Sequence, residues 1–179
     1  MTTTYTVAPA EPSDVPALSG IELAAARLLA GHAPERLLRE TTSVADLEAS
    51  QAAGRLWVAR AGDAAVGFAH VTLREPGVAH LEELDVHPAH GRRGLGRRLV
   101  LTVCEWAARQ GYEAVTLTTF RDVPFNMPFY RTMGFAVMAP DELSPAVAAI
   151  LEAEALAGLA RERRVGMRRA IGNFAARRG

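Results

Sequence analysis

The residues best suited to chemistry cluster where the chain reads Leu84-Asp85-Val86-His87-Pro88-Ala89-His90-Gly91-Arg92-Arg93-Gly94-Leu95-Gly96-Arg97-Arg98-Leu99. Glycines let a backbone approach a ligand closely, and the first N–H groups of a helix starting here point outward, so the stretch suits a phosphate or pyrophosphate. Arginines 92, 93, 97 and 98 crowd the positive end of that helix's dipole, where a lone basic side chain costs about 0.3–1 kcal/mol. A solvated helix start whose arginines pair with surface carboxylates is the bland alternative. Such pairs contribute only ~0–1 kcal/mol each and hardly offset the repulsion. The pattern therefore predicts a bound anion. Gly94 and Gly96 lack the third glycine of a dinucleotide fingerprint, and a Walker A loop fails because the chain contains no lysine.

A second group lies just upstream. His80, Glu82, Glu83 and Asp85 share one predicted strand, and simple alternation puts Glu83 and Asp85 on one face with Glu82 opposite. Carboxylates placed so can take a proton or receive a cationic substrate. Other reactive side chains carry less. Cys104 reads as a helix packing residue because no neighbouring feature would lower its pKa. His87 and His90 lack a third ligand at metal-site spacing, so no metal is expected. His70 reads as a strand side chain, and Trp57 and Trp106 read as core.

These groups need a scaffold, and the length and composition limit it. With 179 residues, 49% of them hydrophobic, the chain is long enough for one sizeable core and predicts a single domain over 1–179. The formal net charge is zero, which removes the global field expected of nucleic-acid or anionic-membrane binders. Few aromatics add to the case against nucleic acid. The longest apolar run, near Ile21 to Ala30, is broken by Glu22 and Arg27 and falls short of the ~20 residues of a membrane span. One cysteine excludes an internal disulfide, and Met1 to Pro12 lacks the pattern of a signal peptide. A cytoplasmic protein is expected. All twenty basic residues are arginine, which also excludes a lysine Schiff base.

The elements follow from periodicity and breakers. Tyr5 to Pro9 predicts a first strand, and Ser13 or Asp14 caps a helix running to Ala30 with Pro16 in its first turn. A second helix is expected from Pro34 to Ala53, stopped by Gly54. Leu56 to Ala61 and Val66 to Val71 flank Gly62-Asp63 as a hairpin, Pro76-Gly77 turns the chain, and Ala79 to Val86 forms the next strand. Leu95, Leu99, Val103 and Trp106 recur at three- and four-residue spacing, the buried face of a helix ending before Gly111. Ala114 to Thr119 predicts a strand, Phe125 to Met133 a short helix, Phe135 to Met138 a strand, Pro145 to Leu156 a helix and Arg164 to Arg169 a last strand before a loose tail over 171–179. Hairpins mixed with crossover helices imply an α/β protein with a mixed sheet flanked by helices.

On these residues the chain resembles the GNAT acetyltransferase superfamily. Val86-x-Pro88 followed by Arg92-Arg93-Gly94-Leu95-Gly96-Arg97 is similar to that family's acetyl-CoA pyrophosphate loop. Phe129-Tyr130-Arg131-Thr132-Met133-Gly134-Phe135 resembles its helix-to-strand ending. The resemblance covers roughly residues 4–138, leaves a C-terminal helix and strand in 140–170 outside it, and implies a mostly antiparallel sheet of about seven strands. It further implies that Leu84, Asp85 and Val86 offer main-chain groups to the pantetheine arm, and that N–H groups from Arg92 through Gly94, Leu95 and Gly96 to Arg97 hold the pyrophosphate. Side chains of Arg92, Arg93 or Arg97 would add charge-assisted bonds. Two departures stand out. Gly91 replaces a frequent Gln or Arg, and Val123 replaces an asparagine that touches the cofactor in many relatives, a contact for which Asn126 is the substitute.

Moving an acetyl group from a thioester to an amine needs a neutral amine, a stabilised oxyanion and a proton for the departing thiolate. The resemblance places Tyr130 near the cofactor sulfur, where a phenol of ordinary pKa near ~10 can supply that proton. It ranks Glu82 first and Glu83 second as the base, with a solvated or substrate-binding carboxylate as the alternative. Thr118 stands where relatives acting on protein N-termini carry a base, which argues against such a substrate. The implied activity is N-acetylation of a small cationic amine by direct transfer. The alternative is an acyl-CoA-binding module without catalysis. Pro140 to Gly179 is expected to cover the acceptor cleft or to form a homodimer surface.

Overall fold

Breaker residues set the turns of the computed structural model, which describes residues 3–172. In chain order the elements are β1 (Tyr5–Pro9), α1 (Val15–Ala26), α2 (Val44–Ala52), β2 (Leu56–Ala61), β3 (Ala64–Glu75), β4 (Val78–Val86), α3 (Leu95–Arg109), β5 (Ala114–Phe120), α4 (Met127–Arg131), β6 (Ala136–Val137), α5 (Pro145–Leu156) and β7 (Arg164–Ala170). Gly62 closes the β2–β3 hairpin at φ 59°, the positive dihedral that two-residue hairpin turns require. The strands form one seven-stranded sheet in the order β1-β2-β3-β4-β5-β7-β6. Pairing is antiparallel for β1/β2, β2/β3, β5/β7 and β6/β7, and parallel for β4/β5. The mixed, mostly antiparallel sheet flanked by helices is the fold class expected from the sequence. Among the described residues no helix is long and apolar enough to cross a membrane.

The chain divides into two compact units, one within Met1–Thr72 and Leu81–Val103, the other within Leu73–His80 and Cys104–Gly179. In the first, Val15, Leu18 and Ile21 of α1, Leu47 of α2, Leu56 and Val58 of β2 and Phe68 of β3 share a buried cluster with Ala10. The α1 face that enters this core also carries Glu22, a buried carboxylate one residue beyond Ile21. The expected helix over 34–53 is overturned in its first half. A single 3-10 turn at Leu37–Arg39 precedes extended chain, and α2 begins only at Val44. The reason lies in Thr42 and Ser43. The backbone N–H of Thr42 is held by the Glu22 carboxylate, and the Ser43 hydroxyl accepts the N–H of Asp46 at 3.1 Å, which caps α2 at that point. Helix α1 likewise gives way at Arg27 to a 3-10 turn instead of reaching Ala30.

In the second unit β5 and β7 pair along their whole length, from Ala114 opposite Ala170 to Phe120 opposite Arg164. Helix α5, capped by Ser144, buries Val147 and Leu151. Gly166 makes room for it, since a Cβ there would lie 2.7 Å from Val147 Cγ1 and 3.0 Å from Leu143 Cδ2. Under this contact Arg164 bonds Glu154 through Nε at 2.8 Å and through an η nitrogen at 2.7 Å. Thr118 donates its hydroxyl to the same carboxylate at 2.5 Å. The expected tail over 171–179 lies, from residue 173 on, outside the described residues.

Candidate active site

The glycine- and arginine-rich stretch forms the turn from β4 into α3 in the first unit. His87 donates its N–H to the Val66 carbonyl at 2.8 Å, which ties the start of the turn to β3. One 3-10 turn follows over Pro88–His90, and Gly91 donates its N–H to the Pro88 carbonyl at 3.1 Å. Arg92 then takes φ 55° and Gly94 φ 75°. Left-handed backbone at two nearly adjacent residues is the kind of turn in which successive N–H groups can converge on an anion. Arg98 donates to Gly94 O at 3.0 Å. The N–H groups of Leu95 and Gly96 lie in the first turn of α3, where a helix supplies no intrahelical acceptors. Leu95 anchors this turn in the core, while Arg92, Arg93 and Arg97 are exposed and Gly96 is half-buried. A helix start with exposed arginines beside it suits a phosphorylated ligand.

β1 supports the turn. The Tyr5 hydroxyl and His90 Nδ1 lie 3.1 Å apart, Arg93 stacks over the Tyr5 ring at 5.6 Å, and Arg98 donates to the Tyr5 carbonyl at 3.1 Å. No signal in the sequence links Tyr5 to a loop that follows it by 85 residues, and the strand pairing alone accounts for the meeting.

On β4 the acidic residues separate as alternation predicts. Glu82 accepts the Thr72 hydroxyl at 2.9 Å. Glu83 and Asp85 share a face, and each places a carboxylate oxygen within 4.8 Å of the other and of Glu22 from α1. Asp85 Oδ2 is enclosed and has no hydrogen-bond partner among the described residues. Burial first, and the charge of Glu22 second, push the Asp85 carboxyl up to about 8. Burial also raises Glu22, against which the hydrogen bonds from Thr42 pull it down. The main chain of Asp85 and Val86 runs past Gly67 of β3 at close quarters, since a Cβ on Gly67 would meet Asp85 O at 2.8 Å and Val86 Cγ2 at 3.1 Å. A glycine is required there. Glu22 escaped the reading of the sequence because a glutamate on an otherwise apolar helix looks like a surface residue.

Tyr130 and Asn126 belong to the second unit. Asn126 is half-buried and stands at the N-cap of α4, with its carbonyl accepting the Tyr130 N–H at 3.1 Å. The half-buried Tyr130 ring is held edge-on by Phe129 and Phe135, at centroid distances of 5.2 and 5.8 Å. Val123 is fully buried. Thr118 is committed to Glu154. Cys104 is buried, with its thiol pushed up by desolvation, and His70 is buried beside Ser50 at 2.7 Å. Trp57 is buried, whereas Trp106 is half-buried against Tyr112.

Known proteins resemble this chain in sequence and fold. The sequence profile of the acetyltransferase (GNAT) family matches residues 23–135. Rat N-acetyltransferase 8F1 is 36% identical over 101 residues, covering 52% of this chain and 46% of the relative. Human N-acetyltransferase 8 is 34% identical over 103 residues, with 52% and 45% covered. The chain thus spans about half the length of these relatives. Among solved structures, the PaiA N-acetyltransferase of Thermoplasma acidophilum in complex with coenzyme A superposes with a TM-score of 0.72 at 17% identity, over 93% of this chain and 99% of that one. YncA of Salmonella typhimurium, a putative acetyltransferase solved with acetyl-CoA, gives 0.68 at 20% identity over 96% of both chains. With the family profile spanning β2 to β5, the turn into α3 and α4, the chain belongs to the acetyltransferase (GNAT) family.

Proposed function

We propose that the chain, acting as one acetyltransferase domain, binds acetyl-CoA at the β4–α3 turn and transfers the acetyl group directly to the amine of a small cationic acceptor. The observation that carries this reading is the backbone of that turn. Left-handed backbone at Arg92 and Gly94 opens onto the start of a helix with arginines around it. The CoA and acetyl-CoA complexes of the structural neighbours support the choice of ligand.

In this reading the backbone N–H groups from Arg92 to Arg97 bind the pyrophosphate, with the Arg92, Arg93 and Arg97 side chains adding charge. Leu84, Asp85 and Val86 offer main-chain groups to the pantetheine arm, and Asn126 adds a side-chain contact. Acetyl-CoA supplies an acyl group already activated as a thioester. The protein has two proton transfers to manage. Glu82, or Glu83 in its place, takes a proton from the acceptor ammonium so that the nitrogen lone pair can attack. Tyr130 gives a proton to the departing sulfur. The Thr72 hydroxyl, which donates to Glu82, orients that carboxylate.

The test is a screen of amines for release of free thiol from acetyl-CoA, alongside calorimetric titration with CoA. Tyr130→Phe should lower kcat by at least about tenfold while leaving CoA affinity unchanged. Unchanged turnover removes the acid role. CoA binding without thiol release from any amine converts the reading to a binding module.

A further inference from the structure

Two of the arginines at the β4–α3 turn converge on one residue of the edge strand β1. Arg93 lies over the Tyr5 ring with its guanidinium carbon 5.6 Å from the centroid, and Arg98 donates to the Tyr5 carbonyl at 3.1 Å. The Tyr5 hydroxyl lies 3.1 Å from His90 Nδ1, and the His90 ring makes a T-shaped contact with that of His87 at 6.1 Å. Pairing of Tyr5 with Ala61 of β2 anchors the backbone beneath these contacts. Tyr5 is thus held at its carbonyl by Arg98, at its hydroxyl by His90 and across its ring by Arg93, all within the first unit.

Tyr5 is half-buried, whereas Arg93 is exposed. An exposed arginine samples many rotamers, and ordering it on a ligand weakens binding by about two- to tenfold. A guanidinium stacked on a fixed ring has lost much of that freedom before any ligand arrives. The aromatic face also holds the cation without neutralising it, as a carboxylate would, so its charge remains for an anion.

We propose that Tyr5 is a positioning residue for anion binding at the β4–α3 turn, ordering the Arg93 guanidinium ahead of the pyrophosphate. The inference rests on the pyrophosphate-binding reading above and deepens it by giving the arginines of the turn separate tasks. Arg98 ties the first turn of α3 to β1, and Arg93 is presented to the ligand by the ring. The contact with His90 sets where the ring sits, so the hydroxyl contributes as well as the aromatic face.

Calorimetric titration of the full chain with CoA and, separately, with inorganic pyrophosphate tests this. Tyr5→Leu should weaken CoA binding by about three- to tenfold, and Tyr5→Phe, which keeps the ring and loses the contact with His90, by a smaller factor. Arg93→Gln should weaken it to a similar extent as Tyr5→Leu. The deciding measurement is the double variant. The loss caused by Tyr5→Leu should vanish in the Arg93→Gln background, because the ring acts through the guanidinium. A tyrosine that only supports the fold would give losses that multiply. Multiplying losses overturn the proposal, as does a Tyr5→Leu variant that binds CoA as the wild type does. Circular dichroism and thermal melting check folding, and Tyr5→Thr, better suited to a strand, takes the place of a Tyr5→Leu variant that does not fold. The positioning role and the acetyl-CoA reading fail separately. Pyrophosphate binding that shows the non-additive cycle, without CoA binding, keeps the positioning role and removes acetyl-CoA as the ligand. CoA binding indifferent to Tyr5 does the reverse, and a wild type that binds neither overturns both.

Discussion

Replacing Asp85 by asparagine should stabilise the ligand-free protein at pH 8 and change it little near pH 4. The folded-state carboxyl titrates at about 8 instead of 3.8, because it is buried and faces the Glu22 charge. The sign follows from proton counting. Across that window the folded chain keeps a proton that the unfolded chain releases, so stability falls as pH rises from about 4 to about 8 and the loss is complete above it. Four pH units at about 1.4 kcal/mol each set a ceiling of about 6 kcal/mol. Water entry and movement of the half-exposed Glu83 on ionisation leave an expected gain of about 2–3 kcal/mol. Asparagine keeps the shape, removes the titration and turns an N–H donor toward Glu22 and Glu83. Glu22, itself raised by burial, contributes slope of the same sign in both proteins. Urea unfolding of both proteins at pH 4.5, 6 and 8 gives the comparison, with the midpoint difference growing toward high pH. A pH-independent difference, or a variant less stable than wild type at pH 8, refutes the buried-charge argument.

Three further substitutions probe the frame around the site. Gly67→Ala drives a Cβ against the Asp85 carbonyl, which is backbone and cannot rotate away, so it should cost about 1–3 kcal/mol in urea unfolding and weaken CoA binding by displacing the end of β4. Arg92→Gly relieves the left-handed strain of about 1–2 kcal/mol at φ 55° but loosens the unfolded chain, so the melting temperature should hold or rise while CoA affinity drops several-fold. A lowered melting temperature contradicts the strain assignment. Arg164→Met leaves the Glu154 carboxylate without its cationic partner, with the two side chains only 9% and 17% exposed, and should cost about 3–5 kcal/mol. Adding Glu154→Leu should recover most of that loss, and failure to recover would place the effect in the stacking of Arg164 on Phe120.

The sequence by itself determined the features that depend on neighbours along the chain. Period-two and period-3.6 patterns located the strands and most helices, and local breakers located the turns, because both act within a few residues. The candidate turn between β4 and α3 was legible for the same reason, since its glycines, helix start and arginines are contiguous. The missed start of α2 shows the limit. Residues 34–43 have helical patterning, yet the Thr42 N–H bonds to a carboxylate twenty residues away, and that bond pulls the chain straight. Tertiary structure alone decided the strand order β5-β7-β6, the bracing of the turn by Tyr5 and the meeting of Glu22 with Glu83 and Asp85. Each depends on elements far apart in the chain, joined through sheet pairing and core burial, so no local pattern records it. The β4–α3 turn is thus written in one segment, whereas the acidic cluster exists only because a helix face and a strand face share one core.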